Sequence, residues 1–299
     1  MADGEQLVTD RIEGIVGEML GRRAPPIESG AAKPGNRSGP IIVLTYAHAG
    51  AEYLKRALST SSELACTAGT GFVPLCDRAA ATWQALGSGN TELSVLAIKT
   101  VRMLADAMTT VIRAETGAKR WCETVFAAPA TAETFLRIFP EAMFVCLHRS
   151  LEGVLAEGIQ AYPWGLGGSP FWPYPGGHPD NVPTTIASYW AAHTKSLLSF
   201  QTKYDKSCIR VSYEDLMSNP NYHLLEIFRW LGVNSPNLTL INDFTKLPHH
   251  VHQEKATRLV CPNFTEGIPT QLSTEIDDLQ VRLGWSTTKI ARSSETERW

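Results

Sequence analysis

The sequence predicts an α/β domain whose sheet is parallel and covered by helices on both faces. Three observations carry this reading. Pro40–Tyr46 and Ala142–Leu147 are continuous apolar runs rather than alternating ones, as strands buried on both faces require. Segments of helical periodicity separate the strand-like runs. The first strand passes through a tight Ala/Gly turn directly into a helix, and alternating strands and helices of this kind form parallel sheets.

In chain order, Leu7, Ile12, Ile15, Val16, Met19 and Leu20 fall at helical spacing, so residues 1–21 are read as an N-terminal helix. Residues 22–39 are rich in Pro, Gly and Ser and read as a linker. The domain itself is expected over 40–299. The strand at 40–46 runs through an Ala/Gly turn into a helix from Ala51 to Leu58. Ser94–Ile98 reads as a strand, Leu104–Thr116 as a helix, and Thr131–Phe139 as a further helix closed by Pro140. The strand at 142–147 precedes a helix over Leu151–Ile159. The stretch 161–183 is loaded with Pro, Gly and aromatic residues, and a loop this long in a compact domain is usually functional. Thr184–Tyr204 is a helix, Cys208–Ser212 a strand, Tyr222–Leu231 a helix stopped by Gly232, and Leu272–Leu283 a last helix.

Composition narrows the function. The chain has 299 residues, 43% hydrophobic and 19% charged, with a formal net charge of −3 and no Lys/Arg run, which argues against nucleic acid or an anionic membrane as partner. No apolar stretch approaches the roughly 20 residues of a membrane span. The first residues lack the basic and apolar regions of a signal peptide, so a cytoplasmic protein is expected. The six cysteines are scattered without a C-x-x-C pair and read as reduced, mostly buried thiols. His249, His250 and His252 lack a completing ligand at a recognisable spacing, so no metal is assigned.

Three segments, taken together and in order, resemble the sulfotransferase superfamily. Thr45-Tyr46-Ala47-His48-Ala49-Gly50-Ala51-Glu52-Tyr53-Leu54 resembles its TYPKSGTTWL loop. Phe139–Arg149 is similar to the FPDARFIHLVR stretch of the bacterial branch. Arg210–Leu216, with Asn219-Pro220 and Phe228–Gly232, resembles the RYEDL…P…FLG region. The resemblance spans about Pro40 to Val233, with a weaker echo to Gly284. It implies a P-loop-like sheet and a donor, 3′-phosphoadenosine 5′-phosphosulfate (PAPS), held at a helix N-terminus, where free N–H groups and the helix dipole favour a phosphate.

The donor-site side chains depart from that pattern. His48 stands where the family has Lys or Arg, Ala49 where it has Ser, and Ala51 and Glu52 where it has two hydroxyls. Glu52 in the first helical turn would compete with a polyanion for the dipole. Arg149 matches the 3′-phosphate Arg, but Glu157 takes the position of the Ser that shares the grip. Thr257-Arg258-Leu259 offers one Arg at the C-terminal nucleotide element. Trp121-Cys122-Glu123-Thr124 matches the bacterial W-x-E-K-T-P segment without its Lys.

These residues define the candidates. His48, Glu52 and Glu123 could serve in acid/base catalysis. Gly50, Ala51, Tyr53, Arg149 and Arg258 are the donor-binding positions, with PAPS as cofactor only if the site still functions. Tyr162, Trp164, Phe171 and Trp172 could close over an apolar or aromatic acceptor. Each has a plainer alternative: a relic turn at His48, a helix-start charge at Glu52, a solvated or ion-paired Glu123, Arg149 paired with Glu157 or Glu152, and an aromatic flap or dimer contact. Tyr213, Glu214 and Asp215 are expected to orient the last strand-to-helix turn. The functional readings are an enzyme of small-molecule metabolism with a remodelled donor site, a PAPS-dependent sulfotransferase, or a non-catalytic binding protein, with homodimerisation left open.

Overall fold

The computed structural model describes residues 39–86, 90–126, 129–172, 174, 181–234 and 268–285. All of these belong to one unit that begins at Arg37. The N-terminal helix and nearly all of the linker expected from the sequence, together with Arg258 and the histidines at 249–252, lie outside the described residues.

The chain alternates as expected: β1 (Ile41–Leu44), α1 (Ala51–Leu58), β2 (Leu64–Ala68), α2 (Phe72–Leu86), α3 (Thr91–Thr116), β3 (Arg120–Val125), α4 (Pro129–Ile138), β4 (Met143–His148), α5 (Leu151–Ala161), α6 (Val182–Lys203), β5 (Cys208–Ser212), α7 (Tyr213–Ser218), α8 (Pro220–Leu231) and α9 (Thr270–Leu283). The five strands are all parallel, in the order β2-β3-β1-β4-β5. Alternation within β1 shows why its sequence is wholly apolar. Ile41 and Val43 enter a core shared with α1, α7 and α8, while Ile42 and Leu44 enter a second core built with α2 to α6 and α9. In β4, Met143, Val145 and Leu147 face the first core and Phe144 and Cys146 the second.

The strand expected at Ser94–Ile98 is instead the first part of α3. Asn90 caps that helix, its side chain accepting from the N–H groups of Glu92 (3.0 Å) and Leu93 (3.2 Å). Ala97, Val101 and Ala105 lie buried at a spacing of four, so the helical period of the longer segment overrides the apolar look of a five-residue window. β2 and β3 escape the sequence pattern because both carry polar residues. In β3 the buried Arg120 donates to the carbonyls of Gly39 (2.8 Å) and Leu231 (2.6 Å), which ties the start of the sheet to the end of α8.

β4 ends on His148, fully buried, with Nε2 3.3 Å from the Gln201 side-chain oxygen of α6. Burial, aided by the charge of Arg210, pushes its imidazole down to about 3. Below the ordinary value of 6.5 the unfolded chain therefore takes up a proton that the folded chain refuses. This contribution to stability is complete above pH 6.5 and is lost as pH falls towards about 3. Urea titrations stepped from pH 7 to pH 4 should show the loss, and a His148→Gln variant should show a shallower slope. Equal slopes would exclude His148 as the source.

Candidate functional site

The sheet order reverses around β1: the chain leaves β1 towards β2 and later jumps from β3 across β1 to β4. Such a switch point opens a crevice at the carboxyl ends of the strands, where α/β folds bind ligands. The loop after β1, residues 45–50, lies there and leads directly into α1. His48 adopts φ 63°, the one non-glycine residue with positive φ among the described residues. An L-residue pays about 1–2 kcal/mol for that region, so the surroundings must hold it.

They do so through hydrogen bonds from distant elements. Ala47 N–H donates to the Tyr189 hydroxyl of α6 (2.8 Å), and Arg149 Nη1 donates to the His48 carbonyl (2.6 Å). The buried Tyr46 hydroxyl accepts from Arg149 N–H (2.9 Å) and donates to the Arg149 carbonyl (3.0 Å), which also accepts from Trp190 Nε1 (2.8 Å). Glu214 joins the turns that follow β4 and β5, because its carboxylate accepts from Ser150 N–H at 2.9 Å.

The centre of the site is a cluster of Arg149, Glu157 and His48. Arg149 is buried at the end of β4, with Nη1 2.7 Å from Glu157 Oε1. The other Glu157 oxygen lies 3.7 Å from His48 Nδ1. Burial raises the Glu157 carboxyl, but the bond to His48 and the charge of Arg149 outweigh it and hold the group below its ordinary value. The Arg149 guanidinium also lies 4.4 Å above the Tyr213 ring. Its Nε and Nη2 find no hydrogen-bond partner among the described residues.

The aromatic loop divides into two parts. Phe171, fully buried, stacks on the His48 imidazole with centroids 5.5 Å apart and planes at 20°, while Tyr162 meets the same ring edge-on at 6.0 Å. Trp164 is 99% exposed and Trp172 55% exposed, so neither closes over His48 in this conformation.

The remaining candidates lie apart from the cluster. Glu52 is on the exposed side of α1, paired with Arg56 (2.9 Å) and Lys55 (3.6 Å). Glu123 is buried in β3, where Thr70 donates to it from both its N–H (2.9 Å) and its hydroxyl (2.8 Å) and the Thr67 hydroxyl reaches its other oxygen. It is buried rather than solvated, and its partners among the described residues are hydrogen-bond donors and not cations. Gly50 precedes α1 in left-handed conformation and Ala51 begins the helix. Tyr53 turns towards Tyr213, burial pushing its phenol up to about 12. Tyr46 lies within the quoted loop motif, which marks no role for it, and Tyr189 and Trp190 of α6 are supporting residues that sequence patterns leave unmarked.

Among the described residues no group of three or more His, Cys, Asp or Glu could hold a metal, and no helix is long and apolar enough to cross a membrane. Any fit to PAPS turns on the Arg149 cation. One face of the Arg149 guanidinium is already bonded to an internal carboxylate, and that carboxylate adjoins the loop that would receive the donor's phosphates. The arrangement thus sets a carboxylate beside both the cation and the loop that a nucleotide's phosphates would use.

The comparisons agree with the architecture. The sulfotransferase domain from the curacin biosynthetic pathway superposes with a TM-score of 0.57 at 15% identity, covering 83% of this chain and 98% of that one. The sulfotransferase domain of the Synechococcus PCC 7002 olefin synthase gives 0.53 at 15% identity, with 86% and 99% covered. No curated protein matches the sequence. The family model described as "Sulfotransferase family" matches residues 40–237, which run from β1 past the end of α8, and with that match the chain belongs to the sulfotransferase family.

Proposed function

We infer that this chain is a sulfotransferase-family enzyme acting on a small apolar or aromatic molecule, with a donor pocket remodelled so that ordinary PAPS-dependent sulfation is no longer its reaction. The observation that carries this is the Glu157 carboxylate, which pairs with Arg149 Nη1 and faces His48 where an incoming anion would need both. A dianion would have to displace it or lie beside it, and a like charge at that distance opposes binding.

The same cluster supplies a base. A carboxylate opposite Nδ1 favours the imidazole tautomer that carries its proton there and leaves Nε2 with the lone pair. Stacking on Phe171 and the hydrogen bonds around the loop orient the ring. His48 would then take a proton from a substrate hydroxyl through Nε2, and Glu157 would stabilise the imidazolium that results. Phe171 and Tyr162 offer an apolar wall, with Trp164 and Trp172 able to add surface when a ligand is present. Glu123, with its carboxylate already held by three donors, and Glu52, turned to solvent, are weaker candidates for this role.

A second reading, PAPS-dependent transfer to a hydroxyl, draws on the two unpartnered nitrogens of Arg149, which retain capacity for an anion. Calorimetric titration with adenosine 3′,5′-bisphosphate separates the two. Silence up to millimolar nucleotide is expected; micromolar binding would overturn the remodelled-site reading in favour of the second.

A further inference from the structure

Two strands next to the site place a pair of cysteines side by side. Cys66 of β2 and Cys122 of β3 are direct partners in the parallel ladder. Direct partners project to the same face: Cys122 belongs to the core formed with α1, α7 and α8, and Cys66 packs against that core. Parallel neighbours lie about 4.8 Å apart, inside the roughly 4.4–6.8 Å Cα separation of disulfides. Both thiols are free, and each shifts the titration of the other. Cys66 is partly exposed and Cys122 is 2% exposed, so a reagent reaches the pair through Cys66.

We propose that Cys66 and Cys122 form a reversible thiol–disulfide modification site, oxidised by exchange with a small-molecule disulfide. The Cys66 thiolate attacks one sulfur of the reagent, forming a mixed disulfide and expelling the other half as a thiolate. Cys122 then gives its proton to that thiolate and attacks the Cys66 sulfur, releasing the second half, which is protonated from solvent. In sum, two protein thiols and one disulfide become one protein disulfide and two small thiols. The roles follow the surroundings. The contact with Cys122, the Ser59 hydroxyl and the charge of Lys55 lower the Cys66 thiol against its burial, whereas the contact with Cys66 and burial raise that of Cys122. The bond would form one residue before Thr67 and Glu123, the next pair of the same ladder. The modification itself does not depend on any catalytic assignment.

The other cysteine contact provides an internal control. Cys208 of β5 is opposite Phe144, two residues from Cys146, so their Cα atoms lie about 8 Å apart on a diagonal. That exceeds the roughly 7 Å beyond which a bridge requires backbone movement.

The full chain incubated with oxidised glutathione, alkylated and digested should yield a linked peptide pair carrying Cys66 and Cys122, absent after dithiothreitol, and no Cys146–Cys208 link. In Cys122→Ser the reaction should stop at a stable glutathione adduct on Cys66. The proposal is overturned if wild-type Cys66 retains glutathione without the link, or if both cysteines stay reduced while another is oxidised. Should Cys122→Ser fail to fold, the wild-type peptide map decides alone.

Discussion

Gly50→Ala is expected to destabilise the fold by about 2–5 kcal/mol, a fall in Tm of roughly 4–20 °C for a domain of this size. Two separate effects add. Gly50 has φ 89°, where an L-residue costs about 1–2 kcal/mol. A Cβ there would also lie 2.1 Å and 2.3 Å from two ring carbons of Tyr213. That ring cannot swing aside cheaply, since it is 4% exposed and covered by the Arg149 guanidinium. Overpacking of this kind costs about 1–3 kcal/mol. Gly117 separates the two effects, having φ 68° but nothing within 4 Å of an added Cβ. Gly117→Ala should show the conformational cost alone, and so should Gly50→Ala in a Tyr213→Ala background. Equal thermal shifts for Gly50→Ala and Gly117→Ala would show that Tyr213 does not close on the loop.

Glu157→Gln should raise affinity for adenosine 3′,5′-bisphosphate by roughly 10- to 100-fold over wild type. Removing the carboxylate frees Arg149 Nη1 for one charge-assisted bond, worth about 1.5–3 kcal/mol, with about 1.4 kcal/mol per factor of ten. Glu157→Ser should behave in the same direction. Adding Arg149→Met should abolish the gain, which ties it to that cation. Unchanged nucleotide affinity in both Glu157 variants would remove the carboxylate as the obstacle. The same substitution has a pH signature. Because the folded Glu157 carboxyl is held below its ordinary value of 4.5, its stabilising contribution is present above pH 4.5 and fades as pH falls through the lowered value. The stability difference between wild type and Glu157→Gln should accordingly narrow under acid.

Much of the fold was legible because burial on both faces leaves a one-dimensional mark. β1 and β4 read as unbroken apolar runs, and helices such as α5, α6 and α8 read from periodicity, while the Ser and Asn residues that cap them emerge only from the structure. β2 and β3 were not legible as strands. Their Thr67, Arg120, Glu123 and Thr124 look like loop or surface residues until partners from other segments are supplied. The error at Ser94–Ile98 has the opposite origin: a short window hid a 26-residue helix whose buried stripe emerges only over several turns.

At the site, residue identities settled which groups are present: an imidazole in place of a permanent cation, an arginine after β4 and a glutamate two turns beyond it. Chain order alone could name Glu157 as one of two partners for Arg149 but could not choose. The choice belongs to tertiary structure, because one turn of α5 brings Glu157 between Arg149 and His48, residues 101 positions apart. Tertiary structure also separated Phe171, stacked on His48, from the exposed Trp164 and Trp172, though all three share one aromatic stretch. Composition and spacing determine what the chemistry is made of. Charge pairing and burial act through distance in space, and only the packed fold supplies that distance.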